Sequence, residues 1–245
     1  MILAKNVCKK FGDRTVLKDV TLEVQAGETM VIMGASGTGK SVFLKIIMGL
    51  LEPDAGEIWI GDKEITRLTN KEMDEIRKRI GMVFQFSALF DSLTVGENVG
   101  FSLFRHTKLT RNQIDKIVEE KLEMVGLPGI KDVMPAELSG GMRKRVSLAR
   151  AIAMDPQIVL YDEPTTGLDP ITADGINKLI NKLHDQLKVT SIVVTLDMKS
   201  AFTVATKMAM LKDGKIIFNG TPDEIRQTDD PWVKEFINTA ILTND

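Results

Sequence analysis

Cysteine is almost missing: Cys8 is the only one in 245 residues, so no disulfide can form within the chain. A lone thiol in a strand-like N-terminal segment reads as half-buried packing rather than a nucleophile or metal ligand, and its isolation suits a reducing compartment. No apolar run approaches the ~20 residues that a membrane-spanning helix needs. Met1 to Asn6 passes straight into a strand pattern without a leader, so any association with a membrane is expected to come through a partner. Charge of one sign is not in excess: 32 basic residues face 34 acidic ones, which gives no electrostatic pull towards nucleic acid. Internal repeats, low-complexity tracts and sustained heptads are also absent. What is left is an ordinary globular composition, 43% hydrophobic and 27% charged. It is enough chain for one large domain or a domain with an inserted lobe.

One stretch stands out, Gly34-Ala35-Ser36-Gly37-Thr38-Gly39-Lys40-Ser41. Thr29-Met30-Val31-Ile32-Met33 before it predicts a buried strand, and Val42 to Met48 after it predicts a buried helix. In that setting a G-x-x-x-x-G-K-[ST] run predicts a phosphate site rather than a glycine-rich turn that binds nothing. The glycines let backbone N–H groups from Gly34 to Val42 turn inward on oxygens, and the helix start adds partial positive charge. Lys40 is placed to reach the β- and γ-phosphates of a nucleoside triphosphate, and the Ser41 hydroxyl to ligate Mg²⁺.

Along the chain, strands are expected between residues 2 and 32 (two or three short ones, turning at Phe11-Gly12-Asp13-Arg14), at Glu57–Ile60 and at Gly81–Phe84. Capping boxes at Thr69–Glu72, Thr94–Glu97, Thr110–Gln113 and Thr221–Glu224 each predict a helix start. Another helix is expected from near Ser139 to about Met154, and one more through Ile176, Leu179, Ile180, Leu183 and Leu187. Ile158–Tyr161 and Ser191–Val194 read as strands of a parallel sheet covered on both faces, and Leu211–Ile216 as an Asp-Gly hairpin. The organisation is α/β, a core from 1–85 and 157–245 interrupted by a helical subdomain at 86–156.

Asp162-Glu163 directly follows an apolar strand, at the carboxyl end where α/β sheets bind ligands. Asp162 suits Mg²⁺ and Glu163 suits a general base for an attacking water; a solvated acidic pair is the plainer alternative. Arg143, Lys144 and Arg145 read as a solvated helix face with no chemistry assigned.

The phosphate loop, Gln85, Leu138-Ser139-Gly140-Gly141-Met142, Leu160-Tyr161-Asp162-Glu163-Pro164 and Gly167-Leu168-Asp169 occur in the order and spacing of the ATP-binding cassette (ABC) ATPases, which the chain resembles over nearly its whole length. That resemblance implies a P-loop NTPase fold, ATP with Mg²⁺, and a homodimer that sandwiches two nucleotides head to tail. Ser139, Gly140 and Gly141 would close over the partner's ATP, although an ordinary helix cap accounts for Ser-Gly-Gly alone. It implies that Gln85 joins Ser41 and Asp162 at Mg²⁺, that Phe11 stacks on adenine, and that Asp169 belongs to a loop at the dimer interface. Taken singly, Gln85 reads as a surface residue and Phe11 as core.

Met142 in the signature and the segment Phe84–Val95 resemble the ATPase subunits of Mla- and Mce-type lipid-trafficking systems. This implies phospholipid or another lipid as cargo, a membrane permease docked near Gln85–Asn98, a possible lipid-binding substrate-domain protein, and a place at the cytoplasmic face of an inner membrane. One position departs from the family: Leu196, in Thr195-Leu196-Asp197, replaces the histidine that contacts the γ-phosphate, and neither His106 nor His184 lies in that loop. Leucine has no hydrogen-bonding atom, so a hydrolysis-impaired, nucleotide-gated scaffold is an alternative. A soluble ABC ATPase of DNA repair or translation is a second rival, but such chains carry long coiled coils or two cassettes.

Overall fold

The computed structural model describes residues 1–242. Its strands are β1 (Ile2–Phe11), β2 (Arg14–Val24), β3 (Thr29–Met33), β4 (Ala55–Ile60), β5 (Lys63–Glu64), β6 (Ile80–Val83), β7 (Ile158–Asp162), β8 (Thr190–Val194), β9 (Lys207–Lys212) and β10 (Lys215–Gly220). Its helices are α1 (Lys40–Ile47), α2 (Asn70–Arg77), α3 (Val95–His106), α4 (Arg111–Met124), α5 (Gly140–Ala151), α6 (Pro170–Leu187), α7 (Met198–Val204), α8 (Pro222–Arg226) and α9 (Pro231–Leu242). They form two compact units, one of residues 1–75 with 190 onwards, the other of residues 76–189.

The first unit is built on β3, whose five residues are all buried. β3 runs parallel to β8 on one side and to β9 on the other, and β10 returns antiparallel to β9 through the Asp213-Gly214 turn. A strand buried on both faces must be apolar throughout, which is why the run from Met30 to Met33 carries no alternation. A second sheet in this unit has the order β2-β1-β4-β5, all antiparallel. β1 and β2 are ten and eleven residues long, not short as their patterning suggests. Register shifts at Ala4/Val7, Val7/Lys9 and Lys9/Lys10, with Asn6 and Asp19 at positive φ, break the two-residue alternation by which length is read. Cys8 lies in β1 and is partly buried.

In the second unit β6 pairs parallel with β7, both fully buried, and α3, α4, α5 and α6 accompany them. The caps act as their sequences imply. Thr94 Oγ1 accepts from the Glu97 N–H while the Glu97 carboxylate accepts from the Thr94 N–H, and Thr221 and Glu224 repeat this in the first unit. At Thr110 the return half is present, Gln113 Oε1 accepting from the Thr110 N–H at 2.8 Å. Such caps are worth about 1 kcal/mol each. α5 ends at Ala151, three residues earlier than its sequence suggests, because the chain turns through Ile152 to a left-handed Asp155. α7 has seven residues, too few to print a helical period, and is started by Asp197 accepting from the Lys199 and Ser200 N–H groups. Among the described residues, no helix is long and apolar enough to cross a membrane.

Candidate functional site

Between β3 and α1 the chain needs glycine for two separate reasons. Gly34 has φ +150 and a Cβ there would stand 2.1 Å from the Leu211 carbonyl oxygen; Gly39 has φ +107 and faces Val16 and Leu17 at 2.9 Å. The loop is thus wrapped too tightly for any side chain at these points. Gly39 is the N-cap of α1 in a left-handed conformation, with no capping side chain and no acidic residue in the first turn. The helix therefore opens with Lys40, Ser41 and Val42 at its positive end. Lys40 is buried, and its Nζ donates to the carbonyls of Gly34 at 2.8 Å and Ala35 at 3.1 Å, which folds the ammonium back over the loop. Thr38 Oγ1 donates to Ala35 O, and Arg14 Nη2 to Gly37 O at 3.2 Å. Ser36, Gly37 and Ala35 are exposed. Phe11, at the end of β1, is 49% exposed with Lys9 Nζ 5.6 Å from its ring centre, so it is not a core residue.

Parallel register brings Leu196 to the same end of the sheet. Ile32 pairs with Val194, so Gly34 and Leu196 each lie two residues past a paired position. The Thr195 N–H donates to Ile32 O, and Leu196 is 43% exposed.

In the second unit Val83 pairs with Tyr161, which sets Gln85 and Glu163 in equivalent places beyond β6 and β7. Asp162 and Glu163 are both buried, so they are not a solvated pair. Glu163 sits at φ +49, in the left-handed region that disfavours side chains, and its Oε2 accepts from Thr166 Oγ1 at 3.1 Å. Gln85 is partly buried and its carbonyl accepts from Lys144 Nζ at 2.6 Å. The run Arg143-Lys144-Arg145 is therefore not a solvated face: Arg143 alone is exposed, Lys144 is buried, and Arg145 donates to Val125 O at 3.0 Å. Burial pushes the Lys144 ammonium down to about 8, against the opposing pull of the Asp162 and Glu163 carboxylates. The signal for Lys144 was present in the sequence, since Lys144, Ser147, Leu148 and Ala151 occupy one helical face and all are buried.

Ser139 caps α5, its Oγ accepting from the Met142 N–H at 3.2 Å. Gly140 and Gly141 follow as the first helical residues. A Cβ on Gly141 would meet Thr172 Cγ2 at 2.7 Å, but one on Gly140 would meet nothing closer than Leu168 at 3.6 Å. Gly140 is thus not required by its own chain, and it opens onto a cavity of about 680 Å³. Ser139, Gly140, Gly141, Asp169, Arg145 and Lys178 are among its lining residues, all from within 76–189. Asp169 starts α6 by accepting from the Ile171 and Thr172 N–H groups. The Thr172 hydroxyl and amide hold its carboxyl below the usual carboxylate range.

Residues 17–166, well over half of the chain, match the ABC transporter family, and the chain belongs to it. The fold is that of an ABC ATPase cassette, an ATP-binding α/β domain. Among individual proteins, it is 44% identical over 237 residues to the intermembrane phospholipid transport system ATP-binding protein MlaF of Haemophilus influenzae, across 97% of this chain and 90% of that one. It is equally identical to the probable ribonucleotide transport ATP-binding protein mkl of Mycobacterium leprae, across 97% of this chain and 68% of that one. A solved dimeric structure of an ATP-binding cassette in a post-hydrolysis state, bound to ADP and Pi, superposes with a TM-score of 0.83 at 37% identity, covering 90% of this chain and 98% of that one.

The two glycines make opposite predictions for stability. Gly34→Ala forces both a left-handed strain and a backbone clash, and is expected to destabilise the protein by about 2–4 kcal/mol. Gly140→Ala places its methyl group in ordinary contact with Leu168, 3.6 Å away, and is expected to stay within about 0.5 kcal/mol of the parent. Urea unfolding midpoints of the two variants check this; equal midpoints would contradict the assigned packing.

Proposed function

We propose that this chain is the ATP-hydrolysing subunit of a transporter that moves phospholipid between envelope membranes, working as a nucleotide-closed homodimer beneath a membrane permease. The observation that carries the dimer is the bare Gly140. It has an ordinary backbone conformation, a Cβ there would meet only Leu168 at an ordinary 3.6 Å, and the cavity beside it is lined by residues within 139–178, which supports reading the signature amides as offered to a group from outside their own unit. A second copy of the phosphate loop and its ATP is the natural occupant, in a two-fold self-complementary arrangement. Phe86, 85% exposed, and Phe90, 45% exposed, lie where a membrane subunit would dock. That arrangement puts the chain peripherally at the cytoplasmic face of an inner membrane. A lipid-binding substrate-domain protein is a further partner in this reading, with no direct contact to nucleic acid.

In this reading Lys40 and the backbone amides from Gly34 to Val42 hold the β- and γ-phosphates, and Phe11 stacks on the base. Ser41, Gln85 and Asp162 offer hydroxyl, amide and carboxylate oxygens, an all-oxygen set that suits Mg²⁺. The metal, when bound, neutralises charge on the phosphates. Glu163 accepts a proton from the attacking water. Asp169 contacts the partner copy across the interface. Leu196 adds nothing at the γ-phosphate, since its side chain can neither donate nor accept a hydrogen bond.

The cargo is tested with the chain and its co-purifying membrane subunits in vesicles. ATP-dependent movement of labelled phospholipid is expected. Uptake of labelled ribonucleotide without lipid movement would favour the cargo that mkl's name carries instead.

In this reading Leu196 slows hydrolysis. One preorganised donor to a developing charge is worth roughly 10²–10³ in rate. Leu196→His is therefore expected to raise kcat at least about tenfold, a conservative bound on that effect, with little change in ATP affinity. The same kcat in both proteins, measured with the permease present, would leave Glu163 as the main catalytic side chain and remove the reason for a hydrolysis-impaired scaffold.

A further inference from the structure

Helix α5 turns two cations inward. Lys144 is 4% exposed, and its Nζ donates to the carbonyls of Gln85 at 2.6 Å and Phe84 at 3.2 Å, with Glu163 O at 3.4 Å, the long end of such contacts. Six residues on, Arg150 donates to the carbonyls of Ala88 at 2.6 Å and Ser87 at 2.7 Å. Two side chains of one helix thus hold four carbonyls of the loop that follows β6. The loop needs holding, because Ser87 at φ +63 and Ala88 at φ +48 are left-handed without being glycine, as is Glu163. Residues stay in that region only where their surroundings fix them. β6 itself lies hard against α5, since a Cβ on Gly81 would stand 2.2 Å from the Ala151 carbonyl oxygen.

A buried ammonium is an unfavourable way to fill space, and an apolar side chain would do it better. What the ammonium offers is three N–H donors at one point, where three carbonyls converge. We propose that Lys144 is a positioning residue, whose ammonium ties the backbone at Gln85 and Glu163 to α5 and so sets the spacing of the two side chains assigned above to Mg²⁺ and the attacking water. This rests on that assignment of the ATP site. Lys144 touches neither the phosphate loop nor Phe11 in any of its hydrogen bonds, so it acts on turnover and leaves nucleotide affinity to Lys40 and the loop amides.

The test is steady-state ATPase kinetics of the complete transporter carrying Lys144→Met or Lys144→Gln. The methionine variant is expected to lose about tenfold or more in kcat, the scale of one buried hydrogen bond to a charged donor, with KM for ATP within about threefold. The glutamine amide has two N–H donors for the two nearer carbonyls, so its kcat is expected only about threefold below the parent. Parent-like kcat in the methionine variant overturns the proposal. So does an equal loss in both variants accompanied by a matching rise in KM, which is the mark of a general lesion of the fold. Should the methionine variant not fold, the glutamine variant decides alone: a lowered kcat at unchanged KM supports the proposal and a parent-like kcat overturns it. Lys40→Ala is measured alongside by calorimetric titration with ATP. Unchanged affinity there would sink the ATP-site assignment itself, whatever Lys144 does.

Discussion

Parallel pairing of strands that are buried on both faces is the constraint on which every candidate catalytic group depends. Parallel partners finish at the same end, so whatever follows them is gathered there without any further design. In the unit of residues 1–75 and 190 onwards, the pairing of Ile32 with Val194 sets the phosphate loop and Leu196 at one end. In the unit of residues 76–189, the pairing of Val83 with Tyr161 does the same for Gln85 and the Asp162-Glu163 pair. A one-residue slip in either register would turn these side chains to the opposite face.

The loops beyond those strands are held by local devices that differ between the units. Around Gly34 and Gly39 the device is the absence of side chains, because carbonyl oxygen and methyl groups already occupy the space. Around Gln85 and Glu163 it is the opposite, a long cation supplied from α5. A left-handed Glu163 and a buried Lys144 each oppose folding, and they occur at one place, as the proposed roles of Gln85 and Glu163 would require.

Much of this was legible in the sequence, for physical reasons that can be named. The phosphate loop and β7 were readable because a continuous apolar run closed by glycine or by acidic residues has few other uses, and β8 because Ile192, Val193 and Val194 form a β-branched run. The helix starts at Thr94, Thr110 and Thr221 were readable because capping is a local interaction that needs no tertiary context. Lys144 reads from sequence as solvated, because charge is the stronger cue in a run of three basic residues and the small and apolar neighbours on its face are the weaker one, yet it is buried. The lengths of β1 and β2 were hidden by bulges, and α7 by its seven-residue length. Phe11 was open between core and ligand contact, and its exposure removes the first of these.

The central claim is that two copies close on ATP, each signature helix completing the other's phosphate site. Light scattering on the Glu163→Gln variant, which lacks the proposed base but keeps a side chain of the same shape, tests it most directly. With ATP and Mg²⁺ the account predicts a mass twice the 27.2 kDa of one chain, and with ADP or no nucleotide a monomer. The same mass under all three conditions, in the complete transporter's ATPase subunit as well as the isolated chain, would contradict it.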